Sequence, residues 1–139
     1  MQRRDFIKQG CMACGAFALA GLLQSCTTLP MLKAATEGRN IAISKSKLDA
    51  AKNLFVLRND ELQYDVLLVK RPDNTYYALY MQCTHNDNPV TANGSGLFCS
   101  MHGSVFDLDG RPTNGPANTP LKRYEVSENE NSLIIHITS

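Results

Sequence analysis

The sequence predicts an all-β fold, an antiparallel β-sandwich, and three observations predict it. The chain has 139 residues, the size of one domain. Hydrophobic residues make up 43% and charged residues 19%, a globular balance. From Asn40 onward the apolar runs are short and turn residues are frequent, the pattern of many short strands in a sandwich or barrel-like fold. About 100 ordered residues bury a real but modest core.

Residues 1–25 read as an address rather than as part of the fold. Gln2 to Lys8, Gln-Arg-Arg-Asp-Phe-Ile-Lys, resembles a twin-arginine export signal. The apolar stretch from Gly10 to Leu23 is 14 residues long, short of the roughly 20 needed to span a bilayer. It fits the core of a signal peptide; a basic N-terminus before a short buried helix is the structural alternative. Leu23-Gln24-Ser25-Cys26 resembles a bacterial lipobox, in which cleavage precedes a cysteine that receives lipid. Leu23, Ser25 and Cys26 match that pattern, and Gln24 is the weaker match. The expectation is export to a bacterial cell envelope with lipid on Cys26. Cleavage elsewhere, or retention of the segment as an anchor, is the alternative. Cys11 and Cys14 form C-x-x-C, but inside the apolar core, which is not the setting of a redox or metal motif.

Residues 26–39 read as a linker on their Thr, Pro, Ala, Gly and charged composition. The domain is expected over 40–139. Ile41 to Ser44, Leu54 to Leu57, Asp65 to Lys70 and Tyr76 to Tyr80 each read as strands. Arg71-Pro72-Asp73-Asn74 is a turn between two of them. The segment from Ser46 to Lys52 reads as one or two helical turns. Ser132 to Thr138 is a β-branched closing strand. Net charge is +1, and the leader holds Arg3, Arg4, Lys8 and Asp5, so the remainder carries 11 basic and 12 acidic side chains. Neither balance gives a nucleic-acid footprint.

Only two of the five cysteines, Cys83 and Cys99, fall in the expected domain, so a disulfide framework is not the first reading. Two of the three histidines stand beside them. One loop reads Cys83-Thr84-His85, the other Cys99-Ser100-Met101-His102, with residues 86–98 between. Each loop offers one thiolate and one imidazole. Four such donors suit zinc or two irons bridged by sulfide. Zinc spacings are ordinarily C-x₂₋₄-C and H-x₃₋₅-H. Alternation of Cys-His with Cys-His suits a binuclear site that draws one ligand for each metal from each loop.

C-x-H followed by C-x-x-H resembles the signature of the Rieske [2Fe–2S] proteins. Gly103 and Ser104 after the last ligand, Val105-Phe106-Asp107, the Gly110 turn and Gly115-Pro116-Ala117 extend the likeness from about Asn40 to the C-terminus. The resemblance implies a Rieske-type fold, a sandwich with a small cluster-binding β subdomain. It also implies one [2Fe–2S] cluster, with Cys83 and Cys99 on one iron and His85 and His102 on the other. Ser104 would donate its hydroxyl toward the cluster, and Gly115-Pro116-Ala117 would cover it. Met101 and Leu97 are expected to shield it from water, and the histidines to leave one nitrogen near solvent. Many high-potential relatives carry a further cysteine in each loop, joined as a disulfide. Asn88 and Met101 occupy those positions, so packing and backbone hydrogen bonds must hold the loops. Phe106 stands where those relatives often have tyrosine. Hydrogen bonds to the sulfurs stabilise the reduced cluster. One donor kept and one lost implies a potential within the Rieske range of roughly −150 to +300 mV, but below its top.

Asp87, Asp107 and Asp109 lie near these loops, but Asp107-x-Asp109-Gly110 reads as a turn rather than a carboxylate pair. Tyr76, Tyr77 and Tyr80 read as core or sheet-face residues, and His136 as structural. The expectation is a one-electron carrier, an electron-transfer protein or oxidoreductase subunit rather than a stand-alone enzyme. It would work with a redox partner protein, such as a larger catalytic subunit, and with the membrane, but not with nucleic acid. The alternatives are the Rieske subunit of a quinol-oxidising complex and a non-redox metal-binding structural or sensory module. The length leaves no expected room for the mononuclear iron domain of a Rieske oxygenase.

Overall fold

The computed structural model describes residues 28–137, so the expected leader and Cys26 lie outside the described residues. In chain order the strands are β1 Met31–Lys33, β2 Ala35–Glu37, β3 Asn40–Ser44, β4 Leu54–Arg58, β5 Val66–Lys70 and β6 Tyr76–Tyr80, then β7 Thr91–Ala92, β8 Leu97–Phe98, β9 Val105–Phe106, β10 Pro112–Asn114, β11 Arg123–Glu128 and β12 Ser132–Ile135. Among the described residues they form an eight-stranded sheet, β1-β4-β5-β6-β11-β12-β3-β2, and a four-stranded sheet, β10-β9-β8-β7. Pairing is antiparallel except between β1 and β4.

β5 is apolar at four successive positions because both faces of the large sheet are covered. Successive strand side chains point to opposite faces. Val66 and Leu68 join a core with Ile41, Ile43, Phe55, Leu57, Leu133 and Ile135. Leu67 and Val69 join a second core with Val56, Tyr77, Leu79, Leu97 and Phe106. The first core lies inside the fold of the large sheet, and the second lies between the two sheets.

The large sheet nearly closes on itself. Its outer strands, β1 and β2, are separated in the chain by Ala34 alone. Leu32 pairs with Leu57 on β4, and Thr36 pairs with Ile41 on β3, so one short segment stitches both edges. Ala34 N–H donates to the Arg58 carbonyl at 2.9 Å. The buried Asn59 amide donates to the Ala34 carbonyl at 3.0 Å and to Thr36 Oγ1 at 3.1 Å. The result is an all-β sandwich approaching a barrel.

The linker expected over 26–39 is corrected from Met31 onward, where two strands pair with the sheet. Most of their side chains face solvent, which gives a linker's composition. Backbone pairing, to which composition is blind, holds them. The expected strands around residues 41–44, 54–57, 65–70 and 76–80 appear as β3 to β6, and the closing strand ends at Ile135. The helical expectation over 46–52 shrinks to a single 3₁₀ turn, Lys45–Lys47. The Arg71–Asn74 turn forms, with Asn74 N–H donating to the Arg71 carbonyl at 3.0 Å and Asn74 at φ 65°. β7 to β10 are two or three residues long; β7 and β8 lie between the ligand loops, and β9 and β10 follow the second.

Candidate metal centre

β6 runs through Met81 and Gln82 into the first loop, and β8 runs directly into the second. Both loops close in the same way. Cys83 N–H donates to the Asn88 carbonyl and Cys99 N–H to the Ser104 carbonyl, each at 2.8 Å and five residues on. Gly103, at φ 83°, tightens the second loop by donating its N–H to the Cys99 carbonyl at 3.0 Å. Positive φ favours glycine there. A Gln82–Pro89 bridge closes the base of the first loop. No cross-link joins the loops, as the absence of further cysteines implies.

A third segment, which contains a cis Gly115–Pro116 bond, crosses both loops. Thr84 Oγ1 donates to the Thr119 carbonyl at 2.6 Å, and the Asn114 amide donates to the Gly103 carbonyl at 3.0 Å. Ala117 N–H donates to the Ser104 hydroxyl oxygen at 3.0 Å. Gly115-Pro116-Ala117 is therefore pinned to the ligand loops through side chains from each.

The four expected ligands come together and sort by element. Cys83 and Cys99 are each 1% exposed, and their side chains are neighbours. The His85 and His102 rings lie 5.0 Å apart, 84° from coplanar, and both residues are exposed. Sulfur lies inside and nitrogen outside. Among the described residues no three Cys, His, Asp or Glu side chains gather about one metal position. The donors stand two and two.

Burial alone pushes the Cys83 thiol up. Hydrogen bonds from the backbone N–H groups of His85 and Asn86, and from the Cys99 and Ser104 side chains, outweigh it. The thiol therefore lies below its ordinary range, nearer the thiolate that binds metal. Leu97, Phe106 and Leu121 form a dry floor in the same core as the cysteines. A buried sulfur pair with amide donors beside an exposed imidazole pair is the donor set that two unlike irons require, so the residues present fit a [2Fe–2S] group.

Ser104 is fully buried beside Cys83. Leu97 is buried, but Met101 is corrected. It is 61% exposed because the tight Cys99–Gly103 turn faces Ser100 and Met101 outward. Asp107 is spent on its turn, accepting the N–H groups of Asp109 and Arg111 at 3.0 and 2.8 Å. Tyr77 is buried and donates its hydroxyl to the Leu108 carbonyl at 2.7 Å, and His136 lies 2.7 Å from the Ser127 hydroxyl. Sequence reasoning missed Tyr64, which donates to the Asp87 carbonyl at 2.7 Å, and it missed the Thr84–Thr119 and Asn114–Gly103 ties. No spacing signals such partners, because they are 23, 35 and 11 residues apart.

Fold and site together define a small β protein that presents a two-sulfur, two-nitrogen metal centre on paired loops. Residues 38–125 match the family model described as the Rieske [2Fe-2S] domain. The chain belongs to that family, and its cofactor is a Rieske-type [2Fe–2S] cluster. It is 32% identical over 102 residues to the ubiquinol-cytochrome c reductase iron-sulfur subunit of Bradyrhizobium diazoefficiens, covering 68% of this chain and 58% of that protein. It is 37% identical over 71 residues to the carotenoid phi-ring synthase of Chlorobaculum tepidum, covering 50% of this chain and 11% of that protein. The chain thus spans between about a tenth and six tenths of these relatives. The solved apo form of a quaternary ammonium Rieske monooxygenase, CntA, shares the fold, with a TM-score of 0.57 and 16% identity over 71% of this chain and 33% of that one.

Proposed function

We propose that this chain is a one-electron carrier of a bacterial cell envelope, in which Cys83 and Cys99 hold one iron and His85 and His102 the other. When bound, the cluster supplies reversible one-electron chemistry. The protein's own residues do the rest. Ser104 and the His85 and Asn86 amides direct hydrogen-bond donors at Cys83 and so favour negative charge there. Leu97, Phe106 and Leu121 exclude water from the sulfur side. The exposed imidazoles give the electron its short way out. Phe98 and Met101, 41% and 61% exposed beside the second loop, offer an apolar rim to a redox partner.

The observation that carries this reading is the sorting of donors, buried sulfurs together and exposed imidazoles together. Electron paramagnetic resonance of the reduced protein, with iron and acid-labile sulfide quantitation, tests it. Two irons and two sulfides per chain with a Rieske spectrum are expected. A colourless protein with one zinc overturns it, and a cluster inert to redox titration leaves a structural or sensory module in its place.

The location rests on the twin-arginine and lipobox resemblances at Gln2–Lys8 and Leu23–Cys26. A preformed metal site survives only in a folded chain, which suits an export route that moves folded proteins. The protein would face the periplasm, attached through lipid on Cys26, and serve a larger catalytic subunit or act as a free shuttle. The name of the Bradyrhizobium relative favours a second reading, a subunit of a quinol-oxidising complex. Asn88 and Met101, in place of a bridging cysteine pair, weigh against it.

A further inference from the structure

We infer that the membrane holds this domain by the end opposite its metal centre, so that the centre meets a water-borne protein partner rather than a quinol in the lipid. The inference rests on the membrane attachment proposed above, through lipid on Cys26. Leu29 packs on the core between the two sheets, and the Pro30 carbonyl accepts the Val56 N–H at 2.9 Å. The fold therefore grips the chain by residue 29. Three residue steps from Cys26 reach at most about 11 Å, which keeps the gripped end close to the bilayer.

The grip lies at one end of the molecule. Thr28 and Pro30 share a shallow groove with Lys52, Leu54 and Gly94. Leu54 pairs with Val69, and Lys70 with Tyr76, so the start of β4, the end of β5 and the start of β6 all lie at this end. The opposite end of the same strands carries Leu57 opposite Val66 and Val66 opposite Tyr80, and from Tyr80 the chain continues to Cys83. The small sheet repeats the arrangement. Gly94 sits in the turn that joins β7 to β8, while the cysteine loops attach to the far ends of that ladder, beyond the Thr91–Phe98 pair. Four strand steps from Tyr76 to Tyr80 and three more residues carry the chain to Cys83, a span of up to about 23 Å.

The test uses the full-length, cluster-loaded protein on vesicles of phosphatidylethanolamine and phosphatidylglycerol. Nitroxide labels are placed at Ser95→Cys, in the β7–β8 turn, and at Glu61→Cys, after β4. Lys52→Cys gives a second reading at the gripped end, and each variant is used only with the visible spectrum of the loaded protein. Labels at Ser95 and Lys52 are expected to lose broadening by a water-borne nickel chelate, and the Glu61 label to keep it. A long-chain benzoquinol dissolved in the vesicles is expected to leave the centre oxidised while a water-borne one-electron reductant reduces it. Shielding at Glu61 instead, or reduction by the bilayer quinol, overturns the orientation. Protein that fails to float with the vesicles overturns the membrane attachment itself, and the inference falls with it.

Discussion

The Ser104 hydroxyl serves two neighbours at once. Its oxygen accepts the Ala117 N–H at 3.0 Å, which leaves its own hydrogen free for the neighbouring Cys83 sulfur, whose thiol it helps to lower. A donor at a ligand sulfur strengthens as negative charge grows there, so it favours the reduced state. A strengthening of about 1.4 kcal/mol between oxidation states corresponds to about 59 mV for one electron. Ser104→Ala is therefore expected to keep the cluster and lower its midpoint potential by about 60 mV, read by protein-film voltammetry. Exposed Ser100→Ala should leave the potential in place, and an unchanged value for Ser104→Ala would show that the hydroxyl is only a clasp for the 115–117 segment. At this scale the sequence was informative where chemistry repeats at short range. C-x-H, C-x-x-H and the Gly103-Ser104 pair are local patterns. Thr84 gave no sign that its partner would be Thr119, because a lone hydroxyl can bond to any carbonyl that the fold brings near. Met101 was misjudged because a turn, not hydrophobicity, decides which way it faces.

Strands were legible in proportion to their length and burial. β4, β5 and β6 each have five residues with three or four buried, and each left an apolar run between turn residues. β7, β8 and β9 have two residues apiece, too few to show a period of two. Close approach identifies them instead. A Cβ on Gly96 would overlap the Phe106 carbonyl oxygen on β9, whereas one on Gly94 would meet nothing within 4 Å. Gly96→Ala is expected to force β8 from β9 and cost about 1–3 kcal/mol, with faster cluster loss under chelator. Gly94→Ala should change stability by no more than about 0.5 kcal/mol. Equal behaviour of the two in urea titrations would remove the packing argument. β1 and β2 escaped notice because they depend on partners elsewhere in the chain, and Asn59 supplies the clasp. Its amide donates to Ala34 and Thr36, and its oxygen accepts the Glu61 N–H at 2.9 Å. Asn59→Ala leaves the buried Ala34 carbonyl without its side-chain partner, at a cost of about 1–3 kcal/mol. Hydrogen exchange should then quicken first at Lys33 to Glu37; protection unchanged there would place the clasp elsewhere.

One sheet separates two cores, and the molecule divides its labour along that sheet. The alternation in β5 makes the division, yet the near-closure at Ala34 could not be read from it, since closure depends on which edges meet. The core inside the large sheet holds Tyr124, 3% exposed, whose phenol burial pushes up to about 12 with Tyr80 alongside. The folded state thus holds the neutral phenol longer than the unfolded chain, whose tyrosine ionises near the ordinary 10.0. That stability is whole below pH 10 and is lost as pH rises toward about 12. Tyr124→Phe should delete the last phenolate step in an ultraviolet titration; a late step that survives would belong to another tyrosine. The second core is different, because one of its walls is a sheet of two- and three-residue strands joined to the ligand loops. Strands so short bury little by themselves, so the metal centre must supply part of what holds them. Removing the cluster by chelation is expected to raise exchange sharply at the amides of Cys83, Cys99 and Ala117 and across β7 to β10. Leu57, Val66, Leu68, Ala78, Leu133 and Ile135, each 0% exposed in the first core, should stay protected. Rieske-family folding here would then be two-tiered, with a metal-independent β frame and a metal-dependent tip. Uniform loss of protection over both cores would mean instead that the frame cannot stand without the tip, and that the large sheet's near-closure is a consequence of cluster binding rather than its support.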